Sequence, residues 1–418
     1  MSIQSHEHVA CPDCGLLQDL PHPRPGHVIE CARCARVLAG IATGRVDVPL
    51  ACTTTALIFF VPAAVLPLLH VSTFGAQRFG WISTGITEFR TQGFWPLGAL
   101  VATFALILPV AYLGGLTLVL ASLHSGRTGA IAGLSLGRIF RWVRNLKPWM
   151  MLEVFLVGAF VAYSRINDVA GVDVETGGWC LMVASFAMLI ALTQLDERTV
   201  WEALPIPPEG EARPASFIAC LACEWIAPRA LEGSHCARCE ARLHERKPGA
   251  VPLTVALTLA GYLLYIPANL LPVLTIVRFG HEDRNTILSG VFELIRNDLW
   301  PLAVIVFVAS IVLPLMKLFG LTWMIMSVDI RSRALLVPRT RLYRLIDGVG
   351  RWSNIDVFMA SLLIAVLQFG TLTSVKVGPG LLAFAAVVVI TMLATTAFDT
   401  RLMWDAAGRN ERGPQWQT

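Results

Sequence analysis

The sequence predicts an all-α polytopic membrane protein. It reads as two tandem parallel repeats, each a small four-cysteine head followed by a four-helix transmembrane bundle, with eight spans in all. Three observations carry this. Apolar residues make up 55% of the 418-residue chain and charged residues only 15%, with mean hydropathy +0.63, a balance that excludes an ordinary soluble protein. Residues 60–75, with Pro62 and Pro67, match residues 265–280, with Pro267 and Pro272, at an offset of 205. Four C-x-x-C pairs stand two ahead of each set of apolar segments.

The repeat runs almost the length of the chain. Phe74-Gly75 falls on Phe279-Gly280, Glu88 on Glu293, Trp95-Pro96 on Trp300-Pro301 and Pro109 on Pro314. After a slip of two residues it resumes at an offset of 203. There Arg138 falls on Arg341, Trp149 on Trp352, Phe155 on Phe358, Asp196 on Asp399 and Trp201 on Trp404. We divide the chain into an N-terminal ribbon (1–48), a first transmembrane domain (49–198), a linker with a second ribbon (199–249), a second transmembrane domain (250–404) and a polar tail (405–418).

In chain order, the first head carries Cys11, Cys14, Cys31 and Cys34. Apolar segments follow near 50–70, 95–123, 149–166 and 178–196. A polar section with Pro205, Pro207, Pro208 and Pro214 precedes Cys220, Cys223, Cys236 and Cys239. The second set of apolar segments lies near 251–274, 299–328, 353–376 and 379–398. Stretches near 20 residues are long enough, at about 1.5 Å per residue, to span the hydrocarbon as helices.

Basic residues set the expected orientation. The segment 124–148 holds Arg127, Arg138, Arg141, Arg144 and Lys147 with no acid, and 329–352 holds Arg331, Arg333, Arg339, Arg341, Arg344 and Arg351. The segments 71–94 and 275–298 are poorer in bases. The positive-inside rule then places the cysteine sections and both termini in the cytoplasm, in line with the polar first ten residues. An even number of spans per copy keeps the copies parallel. The segments around 87–89 and 292–294 are expected as short amphipathic helices at the outer interface.

Four thiolates on two tight turns suit a tetrahedral metal, zinc before iron, and four ligands leave no open coordination position. Two structural zinc sites are therefore expected. The flanking His6, His8, His22, His27, His235 and His244 are not needed as ligands. A dithiol redox pair is disfavoured, because no βαβ pattern surrounds either cysteine set. A head this small gains its folding energy from the metal.

The second copy carries charge at membrane depth: Lys317 in its second span and Asp356 at the start of its third. Such residues mark functional sites unless they reach the interface. Ser310 shares a face with Lys317, Ser353 shares one with Asp356, and Thr391 lies in the last span. These five are a candidate intramembrane polar network. The competing reading is that Lys317 snorkels outward and Asp356 sits at the interface. The first copy has Ala105 and Tyr112 at the positions of Ser310 and Lys317, and Glu153 at that of Asp356.

Pro62, Pro67, Pro267 and Pro272 are expected to kink the first span of each copy, either opening a lateral groove or shaping the bundle. Asn269 is placed to cap freed carbonyls. Trp95, Trp149, Trp300 and Trp352 read as interfacial anchors, and Cys52 and Cys180 as apolar fillers. The sequence has no Walker A, G-x-S-x-G or H-E-x-x-H motif, which argues against an enzyme or an ATP-driven pump. The small net charge of +4 points to no nucleic-acid partner.

The doubled arrangement, with C-x-x-C…C-x-x-C heads, four spans per copy and P-x-x-x-x-P in each first span, resembles the paraquat-inducible protein A family. The resemblance covers nearly the whole chain. It implies a Gram-negative inner membrane, a periplasmic tunnel partner built of mammalian-cell-entry (MCE) domains, and phospholipid traffic between the inner and outer membranes. It also implies a polar network in the second bundle at Ser310, Lys317, Ser353, Asp356 and Thr391. A membrane anchor or assembly factor without transport activity is the alternative. For an anchor, charge-neutral substitutions at Lys317 and Asp356 would be silent.

Overall fold

The computed structural model describes residues 7–20, 28–39, 46–73, 76–127, 129, 133–167, 171–204, 217–278, 281–368 and 373–408. Phe74-Gly75, Phe279-Gly280, the four linker prolines, His6, His22, His27, the side chain of His8 and residues 409–418 lie outside them.

The first head forms two hairpins, β1 (Glu7–Ala10) with β2 (Leu17–Leu20) and β3 (Ile29–Glu30) with β4 (Val37–Ala39). The first span is α1 (Asp47–Val65). A hairpin, β5 (Leu69–Thr73) and β6 (Ala76–Gly80), and helix α2 (Ile82–Thr91) follow. The second span joins α3 (Trp95–Ala102), a π-helical turn at Thr103–Ile107 and α4 (Leu108–His124). The third joins α5 (Leu136–Leu146) to α6 (Leu152–Asn167) through a 3-10 turn, and β7 (Gly171–Val174) leads into the fourth, α7 (Thr176–Gln194). Helix α8 (Glu197–Glu202) ends the copy.

The second copy repeats the order. It comprises β8 (Phe217–Ala219), β9 (Ile226–Pro228), α9 (Ala250–Leu270), β10 (Leu274–Arg278), β11 (His281–Asn285), α10 (Ile287–Arg296), α11 (Trp300–Phe307), α12 (Leu313–Asp329), α13 (Leu336–Val349), α14 (Ile355–Val366), β12 (Thr373–Val377), α15 (Pro379–Ala397) and α16 (Arg401–Ala406). A π turn at Val308–Val312 and a 3-10 turn at Gly350–Asn354 interrupt its second and third spans. Among the described residues, eight helical segments are long and apolar enough to cross a membrane.

Several expectations change. The basic segments 124–148 and 329–352 are largely helical: α5 and α13 extend the third spans on the ribbon side, and Ser135 caps α5 by accepting from the Arg138 backbone. The apolar run 353–376 is not one span. Its helix stops at Val366, and Thr373–Val377 pairs with β10. Small sheets therefore accompany the helices, ordered β6-β5-β7 and β11-β10-β12 at the end opposite the ribbons. The alternation of these short strands was hidden in polar loop sequence.

Of the four prolines expected to kink the first spans, only Pro62 and Pro267 lie inside helices. Pro67 and Pro272 follow the helix ends, because a residue before proline is pushed out of the α region, and Leu66 and Leu271 are extended. Their carbonyls receive the start of the fourth span: Gly177 N donates to Pro67 O at 3.0 Å, and Gly380 N to Pro272 O at 3.0 Å. A Cβ on Gly177 would lie 2.5 Å from the Pro67 carbonyl oxygen, so only glycine fits there. Asn269 donates to Tyr265 O at 2.9 Å within the last turn of α9. Trp95 and Trp300 are exposed at span ends, whereas Trp149 and Trp352 are half-buried, Trp149 stacking on Phe104. Cys52 and Cys180 are half-buried.

The copies meet at their third spans. Phe155 of α6 and its repeat counterpart Phe358 of α14 stack edge-on with ring centroids 5.3 Å apart. Gly158 lets the helices close, since a Cβ there would stand 3.1 Å from Phe358 Cβ. Arg351 reaches Glu153 at 3.0 Å across the same seam. Helix α2 does not lie free at the outer interface. Its Ile82 and Phe89 are buried, and it packs on α14 of the other copy.

Candidate functional site

The four C-x-x-C turns share one local geometry. The residue after each second cysteine is left-handed: Gly15 (φ 73), Ala35 (φ 53), Glu224 (φ 60) and Glu240 (φ 58). Its N–H returns to the carbonyl of the first cysteine, at 2.8, 3.0, 3.1 and 2.8 Å respectively. This turns both thiols to the same side. All eight cysteines are buried. Sulfurs stand 3.5 Å apart for Cys11–Cys34, 3.6 Å for Cys14–Cys31, 3.6 Å for Cys220–Cys239 and 3.5 Å for Cys223–Cys236. A disulfide needs about 2.05 Å. A tetrahedron with metal–sulfur bonds of about 2.3 Å puts sulfurs about 3.8 Å apart, so both donor sets fit a metal ion. His235 is exposed and His244 half-buried, and neither joins a cluster.

Each ribbon docks on the bundle of the other copy, which the linear repeat does not reveal. Arg344 of α13 donates to Cys34 O at 2.8 Å and Ala35 O at 3.0 Å, and Thr400 Oγ1 donates to Asp13 O at 2.9 Å. In the second ribbon, Glu240 accepts from Ser135 Oγ at 2.5 Å and pairs with Arg138 of α5 at 3.4 Å. A Cβ on Gly137 would lie 2.0 Å from Arg238 O, so this contact is backbone on backbone. Between the ribbons lies a cavity of about 960 Å³, lined in part by Arg36, Arg144, Lys247, Asp347 and Asp399.

Inside the second bundle, Lys317 is 1% exposed and does not snorkel. Its ammonium donates to Gly350 O at 2.6 Å and to Thr391 Oγ1 at 3.5 Å. The 3-10 turn presents that carbonyl, and a Cβ on Gly350 would stand 3.0 Å from Lys317 Cε. Ser310 sits in the π turn ahead of Pro314, and its hydroxyl donates to Asp356 Oδ2. Helix irregularities thus aim both halves of the cluster. Lys317 and Asp356 form no ion pair with each other among the described residues; each is held by separate partners. Ser353 is fully buried, and its hydroxyl has no hydrogen-bond partner among the described residues.

Asp356 Oδ1 and Asn354 Oδ1 are likewise buried without a donor among the described residues. Each such atom costs about 1–3 kcal/mol. This arrangement therefore favours any state that supplies a proton or a polar group here. Sequence reasoning missed Gly350, whose part is played by its carbonyl. It also missed Asn354, whose amide donates to Met151 Sδ of the first copy at 2.8 Å. In the first copy, the positions of Lys317, Ser353 and Thr391 hold Tyr112, Met150 and Met188, all buried. That bundle lacks the buried lysine and the hydroxyls of Ser353 and Thr391 at the same site, and its Glu153 pairs with Arg351 instead.

The profile of paraquat-inducible protein A matches residues 46–205 and 252–408. The chain is 29% identical to lipophilic envelope-spanning tunnel protein A of Escherichia coli K12, over 95% of this chain and 91% of that protein. It is 28% identical to intermembrane transport protein PqiA of the same strain, over 97% of each. A probable intermembrane transport protein of Haemophilus influenzae is 25% identical over 96% of each chain. No solved structure matches the chain. With two copies of the profile, each a bundle of four spans and each preceded by a four-cysteine ribbon, the chain belongs to the paraquat-inducible protein A family.

Proposed function

We propose that this protein is the inner-membrane component of a lipid transport system, passing phospholipid between the bilayer and a periplasmic tunnel of MCE domains and so maintaining the envelope barrier. One observation carries the reading: among the described residues, only the second bundle buries a lysine and an aspartate among hydroxyls, with polar atoms left unsatisfied. A plain anchor gains nothing from such a cluster, whereas an alternating transporter uses it to bias two states. The relatives' names, intermembrane transport protein and envelope-spanning tunnel protein, support the same class. The basic helices α5 and α13 support a cytoplasmic ribbon side, with the termini inside and the small sheets in the periplasm. The thiol spacing and donor softness favour zinc in both ribbons, in a structural part.

The test is complementation of a Gram-negative strain lacking its own family members, read as resistance to detergent. The wild-type chain should restore the barrier, and Lys317→Ala and Asp356→Asn should fail at equal protein level. Silence of both variants would favour the anchor reading.

A further inference from the structure

The two basic helices begin differently. In the first copy, Ser135 caps α5, and a carboxylate, Glu240 of the second ribbon, stands on the Ser135 hydroxyl and the Arg138 guanidinium. A negative group at a helix N-terminus is what the helix dipole favours. In the second copy, no side chain caps α13, and Pro338 in its first turn has no N–H to offer. The first ribbon has Ala35 at the position of Glu240, so it brings no carboxylate there.

Arg339 of α13 turns back to that helix end, the direction in which helical side chains lean. Its Nη2 donates at 2.9 Å to Ser332 Oγ, ahead of the helix. Among the described residues, Nε and Nη1 have no hydrogen-bond partner and no carboxylate pairs with the guanidinium. Yet Arg339 is only 4% exposed, with Cζ 5.3 Å from the centre of the Trp323 ring. Each unmade bond of this kind costs about 1–3 kcal/mol, and more on a charged group. Arg331 and Arg333, both exposed, stand in the connection before α13, against one acid, Asp329. The first copy has neither member of the pair: Leu118 and Leu136 hold the positions of Trp323 and Arg339.

The place is a bilayer boundary. The second span of this copy runs over Trp300–Asp329, and Trp323 stands six residues, about 9 Å, from its ribbon end. Phe319 (61% exposed), Trp323 (39%) and Met326 (56%) share one outward face of α12. We infer that the start of α13 is a binding site for an anionic phospholipid of the ribbon-side leaflet, its phosphate on the Arg339 guanidinium and the uncapped helix end, and an acyl chain against Trp323. The guanidinium lies on Trp323 itself, so charge and apolar surface belong to one site. A phosphate supplies acceptors to the free N–H groups of Arg339 and of the helix end. The Ser332 hydroxyl accepts from Arg339 and still has its own proton to give. Three bases against one acid select a net negative headgroup over a zwitterionic one. The inference goes beyond the transport reading, since it needs only that the bundle spans a bilayer.

The experiment is native mass spectrometry of the purified full chain from nanodiscs containing phosphatidylglycerol, phosphatidylethanolamine or diacylglycerol, with inorganic phosphate as a separate probe. Wild type should retain phosphatidylglycerol best. Arg339→Leu installs the residue of the first copy; it should weaken retention of phosphatidylglycerol by about tenfold and leave diacylglycerol unchanged. Trp323→Leu should weaken both. Ser332→Ala, in the connection, should weaken phosphatidylglycerol severalfold and decides the matter if Arg339→Leu does not fold. Equal retention of phosphatidylglycerol by wild type and a folded Arg339→Leu would overturn the site. So would equal loss of both lipids in that variant, Arg339-dependent binding of inorganic phosphate without lipid, or, where only Ser332→Ala folds, wild-type retention by it. Arg339 lies outside the Lys317–Asp356 cluster, so the site can fall while the transport reading stands, and the reverse.

Discussion

Arg344 of the second bundle donates to the backbone carbonyl of Cys34 in the first ribbon, at 2.8 Å. A residue of the metal turn is thus a docking contact, and the contact crosses from one repeat to the other. The second ribbon crosses in the opposite sense, through Glu240 on Ser135 and Arg138. The two ribbons tie the bundles together on one side of the membrane, while α2 and Gln92 tie them on the other.

Metal and docking are therefore coupled. Cys34→Ser should lower the metal content from about two ions per chain to about one, because three thiolates and a hydroxyl form a much poorer site. Hydrogen exchange should rise in the first ribbon and in α16, which packs beneath it, but not in the second ribbon. Elemental analysis with exchange mass spectrometry reads both effects.

The Arg351–Glu153 pair spans the central seam at 3.0 Å, with side chains 25% and 17% exposed. Removing one partner strands a largely buried charge. Glu153→Gln should destabilise the protein by about 2 kcal/mol, and the double change with Arg351→Gln by less than the two single losses combined. A double-mutant cycle on thermal unfolding in detergent measures this.

The seams between the copies predict unequal tolerance of one methyl group. Gly85→Ala drives a Cβ to 2.6 Å from a backbone oxygen, whereas Gly290→Ala meets only the flexible end of Arg165 at 3.5 Å. Overpacking in a fixed seam costs about 1–3 kcal/mol. Gly85→Ala should lower the thermal midpoint clearly, and Gly290→Ala should leave it near wild type.

On the ribbon side, burial raises the Asp399 carboxyl, but hydrogen bonds from Arg401 and the Lys247 backbone outweigh it and leave the pKa below the usual value. A folded pKa below the unfolded value gives stability that is complete above about pH 4 and fades as pH falls through the folded value. The junction between the second ribbon and α15 should therefore hold unchanged from pH 7 to pH 5 and loosen only in stronger acid. Protease accessibility around Lys247 is a direct readout, and Asp399→Asn should remove the acid dependence.

The repeat, the spans and the cysteine sets were legible in the sequence because each rests on a local rule: hydrophobic length, ligand spacing and internal identity. The crossing of the ribbons was not, because an alignment of the copies pairs each ribbon with its own bundle and says nothing of three-dimensional partners. Pro67 and Pro272 were misread as kinks because a proline just beyond a helix and one within it leave the same apolar run. The span expected over 353–376 hid a strand, since the short run Thr373–Val377 directly follows the apolar helix and was absorbed into it. Lys317 stood out by its charge alone. Its acceptor, the Gly350 carbonyl, has no side chain to announce it.

On the proposed function, the second bundle's polar cluster drives lipid movement. The direct measurement is the rate at which purified chain in vesicles transfers a fluorescent phospholipid to the proposed periplasmic tunnel protein. Lys317→Ala and Asp356→Asn should abolish transfer, whereas Tyr112→Phe, at the matching site of the first bundle, should transfer at the wild-type rate. Wild-type transfer by both charge-neutral variants, with normal folding and metal content, would rule out that role for the cluster.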